Sequence, residues 1–398
     1  MPYKPTPEEI ALDLPGASAN SDMKSQLLLV AEILRLFTDA EHGLTADDIR
    51  EVVGIRTGKT PTAAKVRDDI HSLAANAPFG MEVTIPSRGE NSGFRCRKAF
   101  LTSEQARLCI NVVRTCKFLT RRQRDDICEA LFGMVSYYQQ DSIARSVVVD
   151  ERDLPQGPEI DVFAAAEAFS SALGKNRMLC FKYAVRGLDG LNHYSRNPID
   201  GSEVLEETPI ALIFSFGNYY AEMWSGGAEG GRRMLRRLDR MVAPKVSEAE
   251  AVASSAIDLL RTTVQERIGQ TFDMYGECIA RDLFLRANAW AARYVYDRFG
   301  HGVSFEYVGE EDGTLCGYTY IRIRPSPTFY RWLFGMDGQI TIAKPDSAMW
   351  EASFRRHGLD PLKSHEELLQ DYEAAIEGMR RQISRSAEVY GWMLCDTR

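Results

Sequence analysis

Apolar side chains recur at helical spacing through the first part of the chain. From Ser21 they form a stripe with a step of three or four residues, at Leu27, Leu28, Ala31, Leu34 and Phe37; such a period is typical of an amphipathic helix. Thr45 and Asp48 have the spacing of a capping box, which marks the start of a second helix. A third helix is predicted to begin at Thr60-Pro61, because threonine caps helix N-termini and proline is accepted in the first turn. Its buried stripe is predicted to be Val66, Ile70 and Leu73.

A hairpin follows these three helices. Residues 81–85 and 94–96 are short strand-like segments separated by a turn that contains Pro, Ser and Gly. Three helices with such a hairpin predict a winged helix-turn-helix over residues 21–100, in which the third helix enters the DNA major groove. Residues 1–20 are predicted to be a disordered arm.

The remaining chain divides into further parts. Two helices with Thr-x-x-Gln capping boxes occupy a predicted linker at residues 101–157. Residues 158–247 contain a helix and then apolar strands separated by Gly-rich turns. Residues 248–357 alternate strands and helices in a βαββαβ-like order, and residues 358–398 contain a long charged helix with more apolar positions than a solvated helix needs. The pattern therefore predicts an α+β protein of several domains.

Composition narrows the class of protein. Of 398 residues, 44% are apolar and 26% charged, which is ordinary for a soluble globular protein. No apolar run reaches the length of about 18 residues that indicates a membrane span. Eight cysteines without a C-x-x-C pair and six isolated histidines predict no disulfide framework, no metal site and a cytoplasmic protein. No cofactor is predicted.

Charge is distributed unevenly along the chain. The net charge is −8, but residues 54–98 hold eight Lys/Arg against four Asp/Glu, a local balance of +4, so the remainder carries −12. Local charge rather than the total determines where a nucleic acid can bind. The predicted winged helix is therefore compatible with DNA.

The most informative chemistry lies in residues 209–241. Apolar runs broken by glycines predict strands joined by tight turns, and the last strand carries five arginines and one aspartate. Strand alternation puts Arg237 and Asp239 on one face, and Arg236 and Arg240 on the other. Arginines beside paired tyrosines suit an anionic, planar ligand, because guanidinium binds phosphate bidentately and stacks on bases.

This segment resembles the WYL domain, in the variant whose signature is Asn-Tyr-Tyr followed by a strand that ends in Arg-x-Asp-Arg. Ala221 stands where the family has the leucine of its name. The resemblance extends over residues 22–357, and it implies a small Sm/SH3-like β-barrel, an α/β C-terminal extension and a bacterial-type transcriptional regulator. The matching positions are Asn218, Tyr219, Tyr220, Arg237, Asp239 and Arg240.

The resemblance also implies a nucleotide or short nucleic acid as ligand of this barrel. Tyr183, on the first barrel strand, is expected to face the ligand. The tyrosines would stack on bases and Arg237 and Arg240 would neutralise phosphate, while Asp239 orients one of the arginines. The expected ligand-binding residues are Tyr183, Asn218, Tyr219, Tyr220, Arg237, Asp239 and Arg240.

Residues 65–73 resemble the recognition helix of WYL-family regulators. Three residues (Thr62, Ala64 and Lys65) are expected to face bases, and three others (Lys59, Arg67 and Arg88) to meet phosphates. Double-stranded DNA is thus an expected partner. A homodimer is expected because two heads that read paired half-sites multiply the affinity.

Two other classes of function are an accessory binding protein and an enzyme. The family commonly has arginine where Asp68 stands, which leaves open an accessory protein that binds single-stranded nucleic acid or a protein partner and has a vestigial DNA-binding head. An enzyme is not expected, because the Gly-rich turn at residues 225–231 lacks the order of a phosphate-binding loop and no G-x-S-x-G motif occurs. The adjacent pairs Asp68-Asp69 and Asp125-Asp126 point about 100° apart on a helix and so converge poorly on one substrate.

Overall fold

The structure, a computed structural model, comprises two compact units, Met1–Asp161 and Val162–Arg398. Within them it describes nine stretches of chain, namely residues 5–14, 23–87, 93–145, 160–197, 200–274, 279–300, 302–311, 313–345 and 365–390. No helix in the described stretches is long and apolar enough to cross a membrane.

The first unit is mainly helical. Its one hairpin is antiparallel and pairs Val83 with Cys96, and an additional bridge joins Leu44 to Phe94. The elements are α1 (Pro7–Asp13), α2 (Met23–Phe37), α3 (Ala46–Thr57), α4 (Ala63–Asn76), β1 (Glu82–Thr84), β2 (Arg95–Lys98), α5 (Ser103–Thr115), α6 (Arg121–Phe132) and α7 (Tyr137–Arg145).

We call α1, α2, α3, α4 and the β1–β2 hairpin the head, and its core lies between these elements. Helix α4 buries the stripe that the sequence predicted, which is Val66, Ile70 and Leu73. The predicted stripe of α2 is confirmed at Leu34 and Phe37, which are buried, but Leu28 is 67% exposed. Val30 and Ile33 are buried in addition. Each fully buried aliphatic side chain contributes about 1.5–3 kcal/mol, so these stripes fix how the helices face each other.

The structure corrects two helix starts in the head. Residues 7–13, predicted to lie in a disordered arm, form α1, whose capping box joins Thr6 and Glu9. Ile10 and Leu14 of this segment are buried in the core of the head, and that burial stabilises a helix too short to be stable alone. Helix α4 begins later than predicted, because Thr62 rather than Thr60 caps it.

Helices α5, α6 and α7 form a smaller cluster after the hairpin. The predicted capping boxes of α5 and α6 are confirmed, with Thr102 bonded to Gln105 and Thr120 to Gln123. The buried face of α5 carries Ala106 and Ile110. Leu108 of the same helix is 65% exposed.

The second unit begins with one helix and six antiparallel strands. The strand order is β4-β3-β5-β6-β7, and β8 also pairs with β3, so the sheet closes into a half-barrel. The Arg-rich segment is shorter than predicted, because it leaves the strand after Arg237 and forms a 3-10 turn at Leu238–Arg240. The elements are α8 (Val162–Gly174), β3 (Arg177–Arg186), β4 (Asn192–Tyr194), β5 (Val204–Ser215), β6 (Asn218–Ser225), β7 (Arg232–Arg237) and β8 (Met241–Glu250).

The rest of the second unit contains a four-stranded antiparallel sheet with the order β10-β11-β9-β12. The predicted βαββαβ order is confirmed, and this strand order is that of a split βαβ arrangement. The elements are α9 (Ser255–Thr262), α10 (Val264–Gly269), β9 (Arg281–Asn288), α11 (Ala292–Phe299), β10 (Glu306–Glu311), β11 (Thr314–Ile323), α12 (Pro327–Phe334), β12 (Ile340–Ala343) and α13 (His365–Tyr390).

The apolar stripe of α13 packs within the chain. Ala375 is fully buried in the core of the four-stranded sheet, with Tyr372, Ile376 and Met379 packed around it. Leu368 is buried in a neighbouring cluster with Phe284. The excess of apolar positions noted in this helix is therefore accounted for by the sheet on which it lies.

A buried ion cluster connects the half-barrel to α10. The carboxylate of Glu222 on β6 has no solvent exposure, and it accepts a hydrogen bond from Nε of Arg233 on β7. Arg267 of α10 donates from Nη2 to both carboxylate oxygens at 2.7 Å. One buried negative charge thus has two positive partners on different elements.

We expect Gly93→Ala to destabilise the first unit more than Gly58→Ala does. Both glycines have positive φ (73° and 69°), which costs alanine about 1–2 kcal/mol. A Cβ at position 93 would also lie 2.9 Å from the backbone of Leu44, whereas nothing lies within 4 Å of one at position 58. This clash should add about 1–3 kcal/mol.

Urea titrations followed by far-UV circular dichroism measure this difference. All five tryptophans lie in the second unit, so tryptophan emission should show the same transition in both variants. Equal destabilisation by the two substitutions would contradict the close contact at Gly93.

We expect Glu222→Ala to destabilise the second unit by about 3–5 kcal/mol, because it leaves buried guanidinium groups without their carboxylate. The matched control is Glu203→Ala, which removes a half-exposed carboxylate that pairs with Lys182 at 3.2 Å and should cost under about 1 kcal/mol. Urea titration followed by tryptophan emission measures both. Similar losses from the two variants would show that the Glu222 cluster does not hold the unit together.

Candidate functional site

The strand pairing of β6 and β7 brings the predicted ligand residues together. Tyr220 is the direct cross-strand partner of Arg237, so their side chains lie on one face of the sheet. Asn218, two residues before Tyr220, lies on this face as well. We call Asn218, Tyr220, Arg237, Asp239 and Arg240 the arginine cluster.

Arg237 is held in a fixed orientation. Its Nε and Nη2 donate to the two carboxylate oxygens of Asp239 at 2.9 and 2.6 Å, and Nη2 also donates to Oδ1 of Asn218 at 2.7 Å. These hydrogen bonds with Asp239 raise the pKa of the Arg237 guanidinium. The role predicted for Asp239, that of orienting an arginine, is the one seen here.

The arginine cluster keeps hydrogen-bond donors for an anion. A guanidinium has five N–H groups, and three of those on Arg237 are used by Asp239 and Asn218, which leaves the two on Nη1. Arg240 is exposed on the 3-10 turn. Burial raises the pKa of Tyr220, so its phenol is protonated at neutral pH and can donate as well. The cluster can therefore bind an oxyanion.

Tyr183 does not have the ligand-facing position that we expected. Its side chain is only 8% exposed, and its hydroxyl accepts a hydrogen bond from the backbone N–H of Arg237 at 3.1 Å. Arg236 lies over its ring, 4.9 Å from the centroid, and Nε of Arg236 donates to buried Glu207 at 3.1 Å. Tyr183 thus supports β7 from inside the half-barrel.

The two tyrosines of the Asn-Tyr-Tyr signature lie on opposite faces. Tyr219 packs against Phe214, with 4.8 Å between ring centroids, whereas Tyr220 lies beside Arg237. Successive strand residues alternate between faces, so the expectation that both rings stack on one ligand is not met. Tyr220 is the ring available to a ligand of the arginine cluster.

Residues that sequence reasoning left out border the cluster. The guanidinium of Arg298 lies 4.5 Å from the ring centre of Phe216 and donates to Asp273 at 2.6 Å. Asp273 is close enough to raise the pKa of Tyr220, after the larger effect of burial. Phe216 has a φ of 49° in the β5–β6 turn, an uncommon conformation for a bulky residue. No sequence spacing indicates these contacts, because they join the half-barrel to residues well beyond it.

A cavity of about 190 Å³ lies on the other face of β7. Arg196 and Arg232 line it, together with Arg236, but so do Glu206 and Glu207. Since Arg236 is paired with Glu207, Arg196 and Arg232 remain beside Glu206, a formal charge of only +1. This cavity is therefore a weaker anion site than the arginine cluster.

In the head, the face of α4 departs in part from its prediction. Lys59, Thr62, Ala64 and Arg67 are exposed as expected, although the Thr62 hydroxyl is used to cap the helix. The ammonium of Lys65 donates to buried Asp69 at 2.8 Å. The other oxygen of Asp69 accepts from Gln26 at 2.6 Å.

The hydrogen bond to Asp69 raises the pKa of Lys65 and turns its charge back toward the helix. Asp68 is exposed on the same helix as Arg67. Arg88, predicted to meet phosphate, lies outside the described residues. Among the described residues, no group of three or more His, Cys, Asp or Glu side chains could hold a metal ion.

Comparison with known proteins assigns no family to this chain. No protein family matches the chain, and no curated protein matches it. Among solved structures, the chain is similar to proteasome accessory factor B/C of Arthrobacter aurescens, at 18% identity and a TM-score of 0.24, over 85% of this chain and 48% of that one. It is also similar to a CRISPR Cas-related protein, at 9% identity and a TM-score of 0.30, over 99% of this chain and 94% of that one.

The chain spans about half the length of the accessory factor. At these identities and TM-scores neither likeness carries an argument about fold or activity.

Proposed function

We propose that the protein is a cytoplasmic, sequence-specific DNA-binding transcriptional regulator whose half-barrel binds a nucleotide or short nucleic acid. The proposal rests on the residues that α4 presents to solvent. This helix buries Val66 and Ile70 and presents Ala64 and Arg67 to solvent, within a domain of helices and a hairpin. In this proposal the domain is a winged helix-turn-helix, and α4 enters the major groove.

The sensing part of the proposal rests on the arginine cluster. Arg237 is preorganised by Asp239 and keeps two N–H groups free of protein partners among the described residues. A guanidinium that is already held in place loses little conformational entropy when it binds phosphate. Tyr220 offers a ring for a base. We take this half-barrel to be a WYL domain with an Sm-like fold, and we assign no catalysis to it.

Regulation then requires a difference in affinity between two states. The ligand must bind one arrangement of the protein better than another, since equal affinity for both shifts nothing. A homodimer completes the proposal, because two heads on paired half-sites bind more tightly than one.

A second candidate is an accessory protein whose half-barrel binds single-stranded nucleic acid or a protein partner while the head has lost DNA binding. The specific observation in its favour is that α4 exposes Asp68 and engages Lys65 with Asp69. Fewer cations then face a duplex than the sequence alone indicates.

Selection of sheared genomic DNA by the purified full-length protein, followed by sequencing at near-physiological salt, separates the two candidates. Enrichment at a few discrete sites supports the regulator. Uniform or absent recovery, both alone and with added nucleotides or oligonucleotides, supports the accessory protein.

We expect Lys59→Ala and Arg67→Ala each to flatten the salt dependence of DNA binding by about one unit of slope, because each removes one phosphate contact. Sequence preference should stay unchanged. Arg331→Ala is the control, since it removes the same charge from an exposed position of the second unit. Fluorescence anisotropy at several salt concentrations measures the slopes. An equal change in the control, or none in the head variants, would contradict the assignment.

We expect Arg237→Ala to weaken binding of nucleotides or short oligonucleotides by about ten-fold or more, because a hydrogen bond to a charged group contributes about 1.5–3 kcal/mol. Arg232→Ala is the matched control, because Arg232 lies on the same strand but on the opposite face of β7. A panel of mononucleotides and single-stranded oligonucleotides, titrated by anisotropy or calorimetry, measures the effect. Unaltered affinity in Arg237→Ala, or an equal loss in the control, would remove the arginine cluster from the proposal.

A further inference from the structure

A cationic recess lies in the second unit, between α12 and α13. Its volume is about 330 Å³, within the range of about 300–1,000 Å³ typical of ligand pockets. None of its lining residues belongs to the arginine cluster. It is therefore a separate candidate site.

The floor of the recess is apolar. Ile279, Pro325, Pro327 and Tyr330 line it from one side, and Ile279 is 74% exposed although it is large and apolar. Gly378 of α13 lies opposite, and a Cβ there would be 2.3 Å from the Tyr330 hydroxyl. The absence of a side chain at this position lets the helix backbone approach the ring. The floor thus offers a surface for a flat apolar group.

The rim carries three arginines. Arg281 is fixed by Asp371, whose Oδ1 accepts from its Nη1 at 2.8 Å. Arg381 has only a distant pair, with Glu377 at 3.9 Å, in which both side chains are more than half exposed; such pairs contribute little. Arg385, one turn further along α13, is exposed.

No carboxylate is among the described residues that line the recess, so the formal charge of these residues is +3. This distinguishes it from the cavity beside β7, where Glu206 and Glu207 face the arginines. Ala374, Gly378, Arg381 and Arg385 recur at helical spacing on α13, so one face of this helix supplies both part of the floor and most of the charge.

We propose that this recess binds a phosphate monoester that carries an aromatic ring, the chemical class of the nucleoside monophosphates. Arg381 and Arg385 bind the phosphate, with Arg281 as the fixed third cation, because guanidinium and phosphate form paired charge-assisted hydrogen bonds. The ring lies on the accessible part of this floor, at Ile279 and Pro327. The proposal does not depend on DNA binding or on the ligand of the arginine cluster.

The test is isothermal titration calorimetry of the full-length protein with four nucleoside monophosphates (AMP, GMP, CMP and UMP). Adenosine, which lacks the phosphate, and inorganic phosphate, which lacks the ring, are titrated separately. Each titration is done in the Arg237→Ala background, in which binding at the arginine cluster is expected to be about ten-fold weaker or more. We expect saturable binding of at least one monophosphate, and at least ten-fold weaker binding of its phosphate-free and ring-free counterparts.

The decisive variant adds Arg381→Ala and Arg385→Ala. We expect it to lower the affinity for the monophosphate by at least ten-fold. The matched control is Arg380→Ala, which removes an exposed arginine of the same helix that does not line the recess, and it should bind as tightly as its parent. Arg381 and Arg385 are both solvent-exposed, so substituting them should leave the far-UV circular dichroism spectrum unchanged.

Three outcomes would overturn the proposal. The first is the absence of saturable binding for all four monophosphates, and the second is binding that survives loss of Arg381 and Arg385. The third is inorganic phosphate binding as tightly as the monophosphate, which would indicate an adventitious ion only. Because the arginine cluster carries Arg237→Ala in every titration, failure here leaves the proposed sensing role to its own test with Arg237.

Discussion

Glu222 places one fully buried negative charge between Arg233 and Arg267. Removing a carboxylate from water costs several kcal/mol, and only well-placed partners offset that cost. One partner belongs to β7 and the other to α10, so the half-barrel and the segment after it are stable together in one arrangement. That arrangement in turn puts Asp273, which follows α10, beside Tyr220.

The two faces of β7 have different roles as a result. On one face Arg236 pairs with buried Glu207 and covers the ring of Tyr183. The charge of Arg236 therefore stabilises the half-barrel. On the other face Arg237 is oriented by Asp239 but still has donors left. A run of arginines that looks uniform in sequence therefore separates into structural residues and residues able to bind an anion.

Local interactions explain why much of the fold could be predicted. The stripe of α4, the capping boxes at Thr45, Thr102 and Thr120, and the βαββαβ order depend on neighbours within a few residues, so spacing alone reveals them. The capping box at Thr6 was equally visible, but its helix is short and is stabilised by burial of Ile10 in the head. The position of Leu28 was wrong because helical period does not say which of two apolar stripes meets the core.

The sequence by itself determined the main helices and the strand that carries the arginines, because these follow from backbone period. Tertiary structure decided that Tyr183 is buried, that Asp239 reaches Arg237 from a 3-10 turn, and that Lys65 is engaged by Asp69. It also created the recess between α12 and α13 from residues far apart in the chain. Side-chain partners across strands and helices depend on register and burial, which no local pattern encodes.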